Sequence, residues 1–194
     1  MLSELRHATE SVHRQLEARL DLLSPDLTAR RYAAVLTAFH AVWAPLEPRL
    51  RHGWTRLGLD PEPRRRAHLI ERDLAALGIR ADQIPAARRL PRVADSAAAV
   101  GALYVLEGST LGGQVIARAL GARGDLPFER AGAFLRGRGR ETGPLWHQFG
   151  HALSRLPWSA DDRRAASGAA RRTFGALAAQ AREHGAFAVS SGAS

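Results

Sequence analysis

The stretch GALYVLEGSTLGGQVIARA, residues 101 to 119, decides the fold of this chain. Its apolar residues predict a buried helix, which glycines at positions 108, 112 and 113 interrupt. Each glycine inside a helix costs about 1 kcal/mol relative to alanine, so this cluster needs a physical reason. Either a flat or bulky ligand presses on the backbone where no Cβ fits, or another helix packs closely through small residues. The pattern alone leaves both explanations open.

The N-terminal stretch LSELRHATESVHRQLEARLDLL, residues 2 to 23, predicts an amphipathic helix with leucines recurring on one face. His13 stands at the edge of that face, Glu17 follows one turn later, and Arg6 lies two turns earlier. A carboxylate at this spacing can orient a histidine that binds a metal. Arg6 could then meet an anionic group of the same ligand. The alternative is a partly buried histidine at a packing seam.

The whole chain is predicted to be all-α and to form one domain over residues 1–184, followed by a disordered tail over 185–194. No strand-like alternation interrupts the helical patterns, and the length suits a single core. Pro45 should bend or break the second helix near Ala44. The expected helices are 2–22, 28–52, 62–77, 94–120, 127–136, 143–155 and 160–184.

Composition excludes several classes of protein. The chain has no cysteine, so a disulfide or a thiolate ligand is impossible. No apolar run reaches the roughly 18 residues of a membrane helix, and no signal peptide is evident, so we expect a cytoplasmic protein without a membrane partner. The net charge of +9 comes from arginine alone. Because these arginines form no basic stripe with aromatic residues, we expect no nucleic-acid binding.

Three local patterns are weaker. Glu10 and His13 form a Glu-x-x-His unit, but a di-iron bundle needs a second unit and further glutamates, which the sequence lacks. His147 and His151 have metal-ligand spacing on a helix but no matching carboxylates, which favours surface histidines. The glycines of 137–143 follow no strand and match no phosphate-binding fingerprint, so no nucleotide or nicotinamide cofactor is expected.

Taken together, LRHATESVHRQLE at 5–17 and LYVLEGSTLGGQVI at 103–116 resemble the biliverdin-producing heme oxygenases of bacteria, most of all the type that accompanies bacterial phytochromes. Shorter pieces agree, and the resemblance covers most of residues 2–178. These shorter matching pieces are PLEPRL at 45–50, DLAALG at 73–78, TGPLWHQF at 142–149 and RTFGAL at 172–177. The resemblance implies a heme oxygenase-like helical bundle, with heme between the N-terminal proximal helix and a glycine-kinked distal helix.

On the proximal side, the resemblance implies that His13 binds the heme iron as neutral imidazole. Glu17 matches an acidic position behind that histidine. Arg6 falls where relatives carry a basic residue that pairs with a heme propionate. Tyr104 falls where bacterial relatives carry a tyrosine that reaches a propionate.

On the distal side, the resemblance implies that Gly108, Gly112 and Gly113 let the helix backbone approach the ligand on the iron. Ser109 stands where animal relatives have an aspartate, so proton delivery cannot depend on a carboxylate there. Water held by Ser109 and the Gly108 carbonyl is the expected substitute. Arg138 stands where similar sequences often have tyrosine, and its role is open.

The activity implied is the oxidative opening of heme to biliverdin with release of CO and ferrous iron. Heme b would be both cofactor and substrate, and O2 the co-substrate. Electrons would come from a ferredoxin or a flavoprotein reductase, and a biliverdin-using phytochrome is a candidate partner. A heme transport or sensor protein that uses the same His13 without turnover is the alternative. Thiaminase-like helical proteins are disfavoured because their usual chemistry needs a cysteine.

Overall fold

A computed structural model describes residues 1–188, and within these residues the chain is all-helical, as the sequence predicts. Short 3-10 turns join the α-helices. The α-helices of this part of the chain are α1 (Leu2–Leu20), α2 (Ala29–Leu46), α3 (Arg51–Leu57), α4 (Ala67–Ala76), α5 (Ser96–Gly121), α6 (Ala133–Arg136), α7 (Thr142–Arg155) and α8 (Ala160–Glu183).

Helix α5 runs through the middle of the molecule. Every residue from Ala97 to Leu103 is buried, and the Asp95 carboxylate caps the helix by accepting from the Ala98 backbone N–H at 2.7 Å. At Gly101 the backbones of α5 and α8 approach so closely that an added Cβ would overlap the Ala166 carbonyl. The glycine segment 108–113 continues the same α-helix without a break.

Helix α1 packs on α8 and is attached to it through its first turn. There Glu4 accepts from Arg163 of α8 at 2.6 Å. The helix ends at Leu20 because Asp21 adopts a left-handed conformation with φ of 41°, in which its backbone N–H donates to the Glu17 carbonyl. Asp is among the residues that tolerate this region of backbone space.

The second predicted helix, 28–52, is interrupted close to the position where Pro45 was expected to bend or break it. The α-helix ends at Leu46, a 3-10 turn follows over Glu47–Leu50, and α3 is separate. Pro45 is the physical reason, because it has no N–H to donate to the carbonyl of Ala41. That carbonyl accepts instead from the Ala87 backbone N–H at 2.9 Å, which ties the connection between α4 and α5 to α2.

Two other predicted helices are shorter than expected. The segment 62–77 becomes helical only at α4, and 127–136 only at α6, each after a 3-10 turn that contains proline. The predicted tail begins with residues that are packed: Ala186 is buried and the Ala188 N–H donates to the Arg19 carbonyl at 2.8 Å. Residues 189–194 lie outside the described part of the chain, so the prediction is not tested for them.

Candidate functional site

A cavity of about 480 Å³ lies between α1 and α5. Its α1 wall consists of His13, Leu16, Glu17 and Leu20. Its α5 wall consists of Val105, Gly108, Ser109, Gly112, Gly113, Val115 and Ile116. The remaining lining residues are Asp21, Leu22, Leu23, Phe39, Trp43, Phe134, Leu135, Phe174 and Leu177. The cavity therefore brings together the histidine and the glycine segment that the sequence analysis singled out.

His13 is the half-exposed side chain of the α1 wall. Its Nε2 atom lies 3.2 Å from a Glu17 carboxylate oxygen, and 48% of its side chain is accessible. The imidazole ring also packs on Phe174 of α8, with 5.0 Å between the ring centroids. Glu17 and Phe174 together restrict the orientation of the ring, while its exposed face remains open to the cavity.

The glycines of the α5 wall are there for different physical reasons. An added Cβ on Gly113 would meet the Leu135 carbonyl oxygen at 3.0 Å, so close packing against α6 explains that glycine. An added Cβ on Gly112 would have no atom within 4 Å, and one on Gly108 would make only ordinary contact with Trp146. Packing therefore accounts for Gly113 and leaves Gly112 to be explained by what enters the cavity.

Ser109 has a hydroxyl group whose hydrogen is already used. Its Oγ donates to the Leu106 carbonyl at 2.8 Å and accepts from Arg66 Nη1 at 3.1 Å. A hydroxyl group has one hydrogen to donate, so Ser109 can offer the cavity only a remaining lone pair. It can hold a hydrogen atom of water but cannot itself donate to a ligand.

Behind the α5 wall lies a buried ionic cluster that the sequence analysis missed. Glu107 accepts from Arg64 at 2.9 Å and from the Trp54 indole N–H at 3.2 Å. Glu47 accepts from the backbone N–H of Arg66 at 2.6 Å. Burial raises the pKa of the Glu107 carboxyl, and also that of Glu47. The visible signal was Glu107 itself, a lone carboxylate at the end of the apolar run of α5.

Other predicted residues lie away from the cavity. Arg6 is exposed on α1, and Tyr104 is half-buried with its ring 6.1 Å from that of Trp146. Neither belongs to the cavity lining, so their roles stay predictions. Arg138 donates to the Arg65 carbonyl at 3.1 Å, and its backbone N–H to the Thr142 hydroxyl at 3.2 Å, which gives it a structural part in the connection before α7.

A second, more open depression of about 660 Å³ lies between α2 and α4. His40 and Glu71 face each other there across 3.5 Å, and Arg80 is already paired with Asp82. Within residues 1–188, no three histidine, aspartate or glutamate side chains come together in a group that could hold a metal ion. Because this depression contains none of the predicted site residues, we place the functional site between α1 and α5.

Comparisons with known proteins agree on one family. The family model described as heme oxygenase matches residues 1–182. A heme oxygenase from Xanthomonas campestris pv. campestris (strain 8004) is 40% identical over 100 residues, which span 50% of this chain and 57% of that protein. The chain thus matches little more than half the length of this curated relative.

Among solved structures, the fold is similar to that of the NO- and CO-bound heme oxygenase from Neisseria meningitidis. The TM-score is 0.76 at 20% identity, and the alignment covers 98% of this chain and 94% of that one. At this identity the likeness concerns the fold. Over residues 1–188, no helix is both long and apolar enough to cross a membrane.

Proposed function

Because this chain belongs to the heme oxygenase family, we propose that it opens heme oxidatively to biliverdin, with release of CO and ferrous iron. The observation that carries the proposal is the cavity in which His13 on α1 faces the glycine segment of α5. O2 would be the co-substrate, and electrons would come from an external donor.

The residues present fit a heme. The cavity volume of about 480 Å³ falls within the roughly 300–1,000 Å³ of ordinary ligand sites. Its walls are mainly aliphatic and aromatic, which suits a flat macrocycle, and His13 is the one imidazole among them. Leu23 and Val115 at the rim are 58% and 57% exposed, so a large apolar ligand would cover them.

On the α1 side, His13 would hold the iron. Glu17 lies 3.2 Å from the His13 Nε2 atom and can orient the imidazole, and Phe174 supports the ring from α8. A bound heme would supply the redox and oxygen chemistry, while the protein supplies orientation, protons and access. Arg6 and Tyr104 are proposed to meet the propionates, outside the cavity itself.

On the α5 side, Gly112 would keep the cavity free of a side chain, and Gly108 is proposed to let the helix backbone approach the ligand. Ser109 cannot donate into that space, because its hydrogen is bonded to the Leu106 carbonyl. We therefore propose that the Ser109 hydroxyl oxygen accepts a hydrogen bond from a water molecule and orients it. That water would supply the proton that the reaction needs. This assignment is compatible with the absence of a carboxylate at position 109.

The finer features are proposals as well. The sequence resemblance supports the type that accompanies bacterial phytochromes, a cytoplasmic location, and a phytochrome as the recipient of biliverdin. A ferredoxin or a flavoprotein reductase is proposed as the electron donor, because heme opening consumes electrons and the chain has no cysteine to hold an iron–sulfur cluster.

The test is incubation of the purified protein with hemin and a chemical reductant in air, followed by absorption spectroscopy and pigment chromatography. We expect one heme per chain, a histidine-ligated spectrum, and biliverdin. His13→Ala should lose that spectrum. His7→Ala is the matched control, because His7 is an exposed histidine of α1 that does not line the cavity. Heme uptake without biliverdin would refute the enzyme and favour the transport or sensor function.

A further inference from the structure

Arg66 is a buried guanidinium that lies directly behind the cavity wall. Only 5% of the residue is exposed. Its Nη1 donates to the Ser109 hydroxyl at 3.1 Å and its Nη2 to the Phe134 carbonyl at 2.7 Å. The guanidinium also stacks on the Phe134 ring, with 4.3 Å to the centroid. Because Ser109 and Phe134 both line the cavity, one layer of residues separates this cation from the cavity.

No carboxylate contacts the guanidinium of Arg66 within the described residues, although Glu107 and Glu47 lie near enough to act on its charge through space. The nearby Arg64 pairs with Glu107 at 2.9 Å, whereas the side chain of Arg66 donates only to neutral oxygens. Glu47 contacts the backbone of Arg66 and not its guanidinium. Burial lowers the pKa of Arg66 to about 10, which still leaves the group charged at neutral pH. The Nε atom is buried and has no hydrogen-bond partner.

A cation in an apolar wall acts over a longer distance than one in water, because the surroundings screen it weakly. We propose that Arg66 gives the α5 side of the cavity a positive potential, which makes it a subsite for small anionic or strongly dipolar ligands in preference to neutral ones. Arg66 acts as a positioning residue through Ser109 and Phe134, without touching the ligand. The inference rests on the proposed function, because heme brings such ligands into the cavity.

The same contacts explain why Ser109 faces the cavity only as an acceptor. Arg66 occupies one of its lone pairs, and the Leu106 carbonyl takes its hydrogen. A ligand next to Ser109 therefore meets a hydroxyl that is polarised by a cation on its far side. An anion gains from that field, while a neutral ligand of similar size gains little.

The experiment compares an anionic and a neutral probe, azide and imidazole, on the protein loaded with ferric heme. Binding of each is followed through the Soret band. Arg66→Gln removes the charge and keeps a neutral donor, and Arg66→Lys keeps the charge. We expect Arg66→Gln to weaken azide binding by about tenfold while imidazole binding changes less than about twofold. Arg66→Lys should retain the selectivity for azide.

Two controls separate this effect from general basicity and from structural damage. Arg80→Gln removes one positive charge at an exposed position outside the cavity lining, and it should leave the azide-to-imidazole ratio unchanged. At about 1 M salt the screening length falls to about 3 Å, so a surface effect would vanish whereas that of Arg66 should persist. If Arg66→Gln does not fold, the azide-to-imidazole ratio of Arg66→Lys tests the proposal by itself. A loss of azide selectivity in that variant, which retains the charge, would overturn the proposal.

Equal ratios of azide to imidazole affinity in the wild-type protein and Arg66→Gln would overturn the inference and leave the proposed function standing. A wild-type protein that takes up no heme would overturn the proposed function, and the inference with it. A selective loss of azide affinity in Arg66→Gln, retained by Arg66→Lys, would support the inference.

Discussion

The replacement of Gly112 by alanine should make the ligand-free protein more stable and the enzyme less active. No atom lies within 4 Å of the Cβ that the change adds, and position 112 is inside the continuous helix α5. The substitution therefore gains the helix preference of alanine over glycine, about 1 kcal/mol, without steric cost. For a chain of this size that gain corresponds to a rise in Tm of about 2–4 °C.

Thermal unfolding of the heme-free protein, followed by circular dichroism, measures the stability. Hemin turnover and the ratio of biliverdin isomers measure the function, because the new methyl group would stand at the lining of the cavity proposed to hold the heme. Gly113→Ala is the matched control: its Cβ would lie 3.0 Å from the Leu135 carbonyl oxygen, so we expect no gain in stability. A lower Tm in Gly112→Ala, or an unchanged rate and isomer ratio, would refute the argument that the ligand explains this glycine.

Three further outcomes follow from the structure. Gly101→Ala should destabilise the protein by about 1–3 kcal/mol or more, measured by urea unfolding, because its Cβ overlaps backbone atoms of Ala166 and not a flexible side chain. Arg6→Ala and Tyr104→Phe should each weaken heme binding or change the isomer ratio, measured by hemin titration and pigment analysis; no effect of either would remove that residue from the propionate site. Ser109→Ala should slow biliverdin formation only severalfold in a single-turnover assay, because water can be held by backbone oxygens as well; complete loss of turnover would contradict the acceptor role.

The helical architecture could be predicted from the sequence because apolar periodicity and glycine punctuation are local signals. The break at Pro45 was also expected, but the partner of the freed Ala41 carbonyl, the Ala87 N–H 46 positions along the chain, was not. Such a partner leaves no trace in the local pattern. The starts of α4 and α6 were placed too early because proline is compatible with the first turn of a helix as well as with a 3-10 turn.

In the candidate site, His13, Glu17 and the glycine segment were visible in the sequence and line one cavity in the structure, whereas the ionic cluster behind them was not expected. A sequence shows Arg64 and Arg66 within a run of arginines, where the usual interpretation is a solvated surface. Their burial depends on partners more than 40 positions away, Glu107 and Ser109. The sequence also could not show that Gly113 and Gly112 are needed for different reasons, because only the packing of α6 distinguishes them.

Helix α8 has a consequence for the width of the cavity, although it contributes only two of the lining residues. One wall is attached to it through Arg163 and Glu4, and the other through the backbone contact at Gly101. Both walls are therefore held by α8, which sets the width of the gap between them. Changes to the curvature of α8 should alter the spacing of both walls at once, even at positions far from any ligand. Adaptation to a thicker or thinner ligand could thus arise from substitutions that never touch it.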